Sequence, residues 1–264
     1  MAVITGVLVL ASALGALAQF RRGAVPLNAF VPAQLPDGDV AICRLVYTEV
    51  RRYGVGWRTD YPLGERNLSI RLAELTRTQV SKGRDGVPNH YLVRLTDEQL
   101  FSCPFIMAGD IGSIGLSEVD AARLREYLLK GGFLWTDDHW GTEEWQVWTR
   151  ELAKVFPPDE YPIEELTPED PLFKTQFEVA AMPQIPNIGF WRSNRATSEQ
   201  GADSAVPHFY VVRDKGGRIM LAMTHNTDIA DAFEREGDDP EFFVRFGPNG
   251  YALGINVVLY ALTH

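Results

Sequence analysis

The sequence is poor in several features that would announce a function. Among 264 residues there are two cysteines, Cys43 and Cys103, and they show neither a Cys-x-x-Cys pattern nor the Cys/His spacing of a redox or zinc site. Both fall in apolar runs, "VAICRLVY" and "FSCPFIMAG", which predicts buried free thiols on strands. Basic residues are scarce: 25 Lys and Arg against 35 Asp and Glu give a net charge of -10. They form no cluster that would hold phosphates, which argues against nucleic acid as a partner. The sequence has no Walker A loop, no Gly-x-Gly-x-x-Gly, no Gly-x-Ser-x-Gly and no His-Glu-x-x-His. These absences remove the commonest nucleotide, hydrolase and zinc-protease readings. No metal and no cofactor is expected from motif spacing, and no internal repeat or low-complexity tract is present.

What is present is a globular composition, 45% apolar and 23% charged, in a chain long enough for one large α/β domain or two small ones. Residues 2 to 20 carry no charge and end in "ALGALAQF" before Arg21 and Arg22. Ala16-Leu17-Ala18 matches the small-x-small pattern of a signal-peptide cleavage site. The apolar run is also just long enough to cross a bilayer once as a helix. Residues 1–20 are therefore expected to be a signal peptide or transmembrane anchor, with the rest of the chain at the inner membrane or in the periplasm, on the periplasmic side. Residues 21–39, with three prolines and two glycines and no periodicity, read as a linker.

From residue 40 onward strand and helix patterns alternate. "VAICRLVY" (40–47), "CPFIMAG" (103–109) and "FLWT" (133–136) read as buried strands. "NLSIRLAELTRTQ" (67–79) has helical spacing, with Asn67 as its expected cap. "LSEVDAARLREYLLKGG" (116–132) is the clearest helix: Ser117 and Asp120 form an acidic variant of the capping box, and Gly131 is the stop signal. "EEWQVWTRELAKVF" (143–156) is a further helix, closed by two prolines. Residues 157–205 are proline-rich and resist assignment. "HFYVVRDKGGRIMLAMTH" (208–225) reads as a hairpin turning at "DKGG", and "YALGINVVLYALTH" as a buried helix. Strands alternating with helices imply parallel β-α-β units and a three-layer α/β sandwich around a mostly parallel sheet, preceded by the N-terminal apolar helix.

In such sheets ligands bind beyond the carboxyl ends of the strands. The polar residues that the pattern places there are Trp57 and Asp60 after the first strand, Asp110 after the second, Asp137, Asp138 and His139 after the third, and His225 with Asn226 at the end of the last. Asp110, Asp137, Asp138, His139 and His225 are the catalytic candidates, since carboxylates and imidazoles on one edge can act as an acid-base pair or hold a divalent metal. The competing expectation is that they cap helices and satisfy backbone amides. Successive residues leaving a strand point to opposite sides. One of Asp137 and Asp138 should therefore cap or orient the turn into the next helix, while the other faces the crevice beside His139. Trp135, Trp140, Trp145 and Trp148 lie close together in sequence. Trp140, Trp145 and Trp148, with Trp57 and Asp60, are the candidates for binding a partner or ligand, because aromatics dominate binding hot spots. The stretch "DIADAFEREGDDPEFF" (228–243) has seven carboxylates and one arginine, lacks EF-hand spacing, and reads as a solvated acidic loop.

Several long motifs, "TDYPLGERNLSIRLAELT", "LREYLLKGGFLWTDDHWG", "VFPPDEYPIEEL" with "DPLF", "GRIMLAMTHNTDIADAFEREGDDPEFF" and "YALGINVVLYALTH", resemble in order those of a bacterial domain-of-unknown-function family, number four-one-five-nine. The resemblance covers residues 40 to 264. It implies a flavodoxin-like fold similar to class I glutamine amidotransferases, usually in exported or membrane-linked proteins, and no established activity. Amidotransferases of that fold place a nucleophilic cysteine on the tight turn after a central strand. The comparable turn here, "TDDHWG", has none, so glutaminase chemistry is not expected. The expectation is a non-catalytic accessory or scaffolding domain that binds a protein partner in an envelope complex. The alternative is a hydrolase-like enzyme or carbohydrate-binding protein built on the Asp/His strand-end residues.

Overall fold

A computed structural model describes residues 29–33, 39–50 and 55–264, so the apolar segment 1–20 lies outside the described residues. Mostly apolar tetrapeptides form the centre of the fold: β1 (Ile42–Leu45), β4 (Phe105–Ala108) and β6 (Phe133–Thr136) are each buried along their whole length, as strands covered on both faces must be. With β3 (His90–Val93), β7 (Ile163–Leu166), β8 (His208–Arg213) and β9 (Ile219–His225) they make a seven-stranded sheet of order β3-β1-β4-β6-β9-β8-β7. The pairs from β3 to β9 are parallel, whereas β8 and β7 add antiparallel. A second, two-stranded ladder joins β2 (Thr48–Glu49) to β5 (Ile114–Gly115).

Helices cover both faces. One core contains Cys43, Ile106 and Leu134 with the apolar stripes of α2 (Glu118–Leu129) and α3 (Gly141–Val155). The other contains Ile42, Phe105, Phe133 and Trp135 with α1 (Leu63–Leu75) and two C-terminal helices, α5 (Asp231–Glu234) and α6 (Pro240–Thr263). The alternation of strand residues between the cores is the two-residue period of a strand. The short α4 (Ile188–Asn194) and β7 account for part of the proline-rich stretch. Within the segment read as a linker, Phe30 bridges to Leu92 and the Val31 amide donates to the Leu92 carbonyl at 3.0 Å, extending the sheet beside β3.

The capping box of α2 is formed on both sides: Ser117 Oγ accepts from the Asp120 amide at 3.1 Å and Asp120 accepts from the Ser117 amide at 3.1 Å. Three expectations need correction. The cysteines are not free thiols but a disulfide, with Cα atoms 6.0 Å apart. Cys103 lies just ahead of β4, after a 3-10 turn (Glu98–Ser102), where it faces Cys43 on β1. Asn67 is not a cap. The helix begins four residues earlier, at Leu63, and the Asn67 amide instead donates to the Phe233 carbonyl at 2.8 Å. The stretch 228–243 is not a solvated loop, because Asp228 and Asp231 are 2% and 0% exposed and the segment folds into α5 and the start of α6. Gly250 and Gly254 make this possible: a Cβ on either would come within 2.5 Å of Ala232 or Phe233. Only glycine lets α5 press onto α6 and carry its acids inward.

Candidate functional site

The carboxyl ends of the parallel strands gather an unusual density of buried acid. Among the described residues, four of the five non-glycine residues with left-handed backbone lie on the loops at this edge: Asp60 (φ 61), Asp110 (φ 46), Asp138 (φ 55) and Asn226 (φ 61). Asp and Asn tolerate this region best, yet such turns still cost energy, and they gather where a chain must present a group at a fixed place. Around them stand Asp137, Asp228, Asp231 and Glu234. Arg44 is the cation at the centre of this region, wholly buried on β1 and paired with the equally buried Glu65 of α1. Its Nη1 and Nη2 atoms have no hydrogen-bond partner.

Most of these carboxylates are already occupied. Asp137 accepts from Thr224 Oγ1 at 2.5 Å and from the Ala230 amide at 2.8 Å, fastening β6 to β9 and to the turn ahead of α5. Asp110 accepts from the Gly56 amide at 2.9 Å. Asp228 takes the Asp231 amide at 3.0 Å, and Asp231 Oδ2 takes the Ile188 amide at 2.5 Å. Asp138, on its left-handed turn, holds the Trp140 indole at 3.0 Å. Asp137 and Asp138 thus take different partners: neither caps the following helix, and Asp138 is the one that contacts the turn into it, through Trp140. The first amides of α3 are held by Asn226 (2.8 Å to Gly141) and Asp203 (2.8 Å to Thr142), and Glu144 reaches back to the Trp140 amide at 2.6 Å.

Burial dominates the titration of the cluster. Desolvation first, and then mutual repulsion, holds Asp60, Asp138 and Asp228 well above the usual carboxylate range. Desolvation lifts Asp137 to about 6 and Asp231 to about 7. Asp60, Glu65, Asp231 and Glu234 each keep one buried oxygen without a hydrogen bond, and Asp60 and Asp231 repel each other here.

The two predicted histidines do not join the acids. His139 is wholly buried, stacked on His225 (centroids 4.9 Å apart) and on Trp145 (5.9 Å), with no hydrogen-bond partner at either ring nitrogen. His225 continues the stack to Trp145 and His208, and its Nε2 donates to the Gly141 carbonyl at 3.1 Å. Of the tryptophans singled out from sequence, Trp57, Trp140 and Trp148 are buried, and Trp145 is half-buried, 4.5 Å from Tyr210. The strand-end candidates thus divide into an acidic group beside α1 and α5 and an aromatic ladder beside α3.

Desolvation pushes His139 well below its ordinary value and His225 down to about 4, with the nearby His208 adding to the latter and Asp203 opposing it. A histidine whose folded value is depressed contributes stability that is present above about 6.5 and is lost as pH falls through the folded value. The raised carboxylates act in the opposite sense: their contribution is present below about 4 and is lost as pH rises through 6 to 7. Replacing His225 with Phe is therefore expected to remove on the order of 2 kcal/mol of the stability loss between pH 6.5 and 4. Urea unfolding of both proteins across that range measures it, and parallel pH profiles would contradict it.

Sequence reasoning missed Arg44, Glu65, Asp228, Asp231 and Glu234. Two signals were there to read. Arg44 is a lone charge in the middle of an apolar strand, and Asp228, Asp231 and Glu234 recur every third residue, which puts the latter two on one helix face. No curated protein matches the chain. A family model described as "Domain of unknown function (DUF4159)" matches residues 41–262, from just ahead of β1 to within one residue of the end of α6. The chain belongs to the DUF4159 family.

Proposed function

We propose that this chain is a non-catalytic α/β domain on a flavodoxin-like, amidotransferase-like scaffold, exported or held at the inner membrane, which serves as an accessory subunit of a bacterial envelope complex. The observation that carries the reading is the engagement of the strand-end groups: Asp110, Asp137 and Asp228 are spent on backbone amides, and the histidines are stacked away from them. A hydrolytic centre needs a nucleophile, a base and a donor around one open position. The turn after β6 supplies no hydroxyl or thiol between Asp137 and Gly141, and Cys43 and Cys103 are bonded to each other. The disulfide also favours an oxidising compartment, in keeping with an apolar segment at residues 2–20. Among the described residues no helix is long and apolar enough to cross a membrane, so attachment would rest on that segment.

One observation favours a second reading, carbohydrate binding: half-buried Trp145 and Tyr210 lie 4.5 Å apart, tilted by 35°, beside His208, an aromatic surface on which a sugar ring can lie. Fractionation of cells expressing the full-length chain separates the possibilities. We expect it in the inner-membrane or periplasmic fraction, cleaved by protease added to spheroplasts, with Asp138→Asn leaving its co-purifying native partner unchanged. A soluble cytoplasmic chain with reduced cysteines overturns the accessory role. Glycan binding that is abolished by Trp145→Ala favours the second reading.

A further inference from the structure

We propose that Asp60, Asp231 and Glu234 form a binding site for one hard divalent cation, Ca2+ fitting best. This goes beyond the accessory role and does not depend on it. Each residue offers a carboxylate oxygen, and these atoms all lie within 4.8 Å of one another. An ion bonded at roughly 2.3 to 2.6 Å to each oxygen bridges such a separation, whereas the shorter bonds of Mg2+ would require the ligands to close in. An all-oxygen set without sulfur or imidazole also selects a hard ion over zinc or copper.

Proximity of acids alone would not make a site. The independent observation is that Asp60 Oδ2 accepts no hydrogen bond and has no ion-pair partner among the described residues, although Asp60 is only 6% exposed, while Asp231 Oδ1 and Glu234 Oε2 meet only the Nε of Arg235. Asp231 is aimed by its other oxygen, which holds the Ile188 amide at 2.5 Å. Asp60 is fixed by its left-handed backbone, and its carbonyl accepts the Gly64 amide at 2.8 Å. Asp231 and Glu234 are three residues apart on α5 and so share a face. Buried carboxylates with free lone pairs are costly unless positive charge reaches them.

Arg235 is the competitor already present. Its Nε lies 3.5 Å from Asp231 Oδ1 and 2.8 Å from Glu234 Oε2, but its side chain is 32% exposed and also pairs with the outer Asp238. It stands at the rim, where it can yield to an ion. The bound ion would tie the turn ahead of α1 to α5, two segments far apart in the sequence that meet in space.

The test is calorimetric titration of the purified full-length chain, stripped with EDTA, using CaCl2 and then MgCl2, with melting temperature followed in parallel. The expected result is saturable binding of one Ca2+ per chain and a melting temperature that climbs with Ca2+ concentration. Glu234→Gln, at the edge of the site, should keep its far-UV spectrum and weaken binding roughly tenfold or more, by analogy with the loss of a supporting group at a metal centre. Asp60→Asn should weaken binding as much, yet melt no lower than the parent in EDTA, because it removes one of the repelling charges. Arg235→Gln should tighten binding, which a purely structural acid cluster would not do. No saturable heat up to about 10 mM Ca2+, beyond the weakest range of dedicated extracellular sites, overturns the proposal. So does an affinity unchanged in both Glu234→Gln and Asp60→Asn, and should Asp60→Asn not fold, Glu234→Gln alone decides.

Discussion

Replacing Arg44 with methionine is expected to destabilise the domain by about 3 to 5 kcal/mol, the range for removing one partner of a buried ion pair. The guanidinium is 0% exposed on β1, between β3 and β4, and its Nε donates to a Glu65 carboxylate that is also 0% exposed. Its charge also opposes the repulsion among the neighbouring acids, Asp60 first. Methionine fills much of the volume, so the loss reports charge more than cavity. Glu65 would be left buried without the cation it pairs with, and Asp60 would lose the positive charge that offsets its burial. Equilibrium unfolding in urea measures the change. The double variant Arg44→Met, Glu65→Leu should recover a large part of it, since replacing both partners of a buried pair with apolar groups is often close to neutral. A single variant within 1 kcal/mol of the parent would show that the pair is not the counterweight to the acidic edge.

Loss of the disulfide should rank next. Cys43 and Cys103 are separated by 60 residues, and closing a loop of that size in the unfolded chain contributes on the order of 4 kcal/mol in the chain-entropy account, with 2 to 4 typical of measured bridges. The Cys43→Ala, Cys103→Ala protein is expected to unfold at lower urea and to melt on the order of 5 to 15 °C lower. The bridged protein, denatured without reductant, should show no thiol reactive to Ellman's reagent. Two titratable thiols per chain in protein taken from the envelope would contradict the pairing.

These two effects were not equally visible in the sequence. The buried tetrapeptides of β1, β4 and β6, the capping box at Ser117 and the hairpin at "DKGG" follow from local chemistry, and the structure has them where the pattern puts them. Hydrophobic period and turn residues act over a few positions, so they can be read without the rest of the chain. β3 was hidden because "HYLV" is only four residues long and is flanked by polar residues. β7 was hidden because Glu164 and Glu165 face solvent on the outermost strand. The disulfide depends on register: β1 must lie beside β4 before Cys103 comes opposite Cys43, and nothing in either local sequence says so.

The candidate site shows the same limit. Asp110, Asp137 and Asp138 were found because each directly follows a legible strand. Asp231 and Glu234 were misread because seven carboxylates in sixteen residues look like a solvated surface. What buries them is the close contact of α5 with α6, allowed by Gly250 and Gly254 some twenty residues away. The histidines were grouped with the acids because strand-end position says which edge a residue occupies, but not which side chains it meets.

The strand order carries a consequence for biosynthesis. β9, made near the end of the chain, sits between β6 and β8, so when residues 133–136 have emerged, β6 has a partner on one side only. An unpaired edge on a strand meant for full burial is a site of misassociation. It must wait for roughly eighty further residues before Ile219–His225 closes it, at the 5 to 20 residues per second of synthesis. A nascent chain of this topology cannot complete its sheet as it grows, and it gains from any carrier that holds it unfolded until its last quarter has appeared.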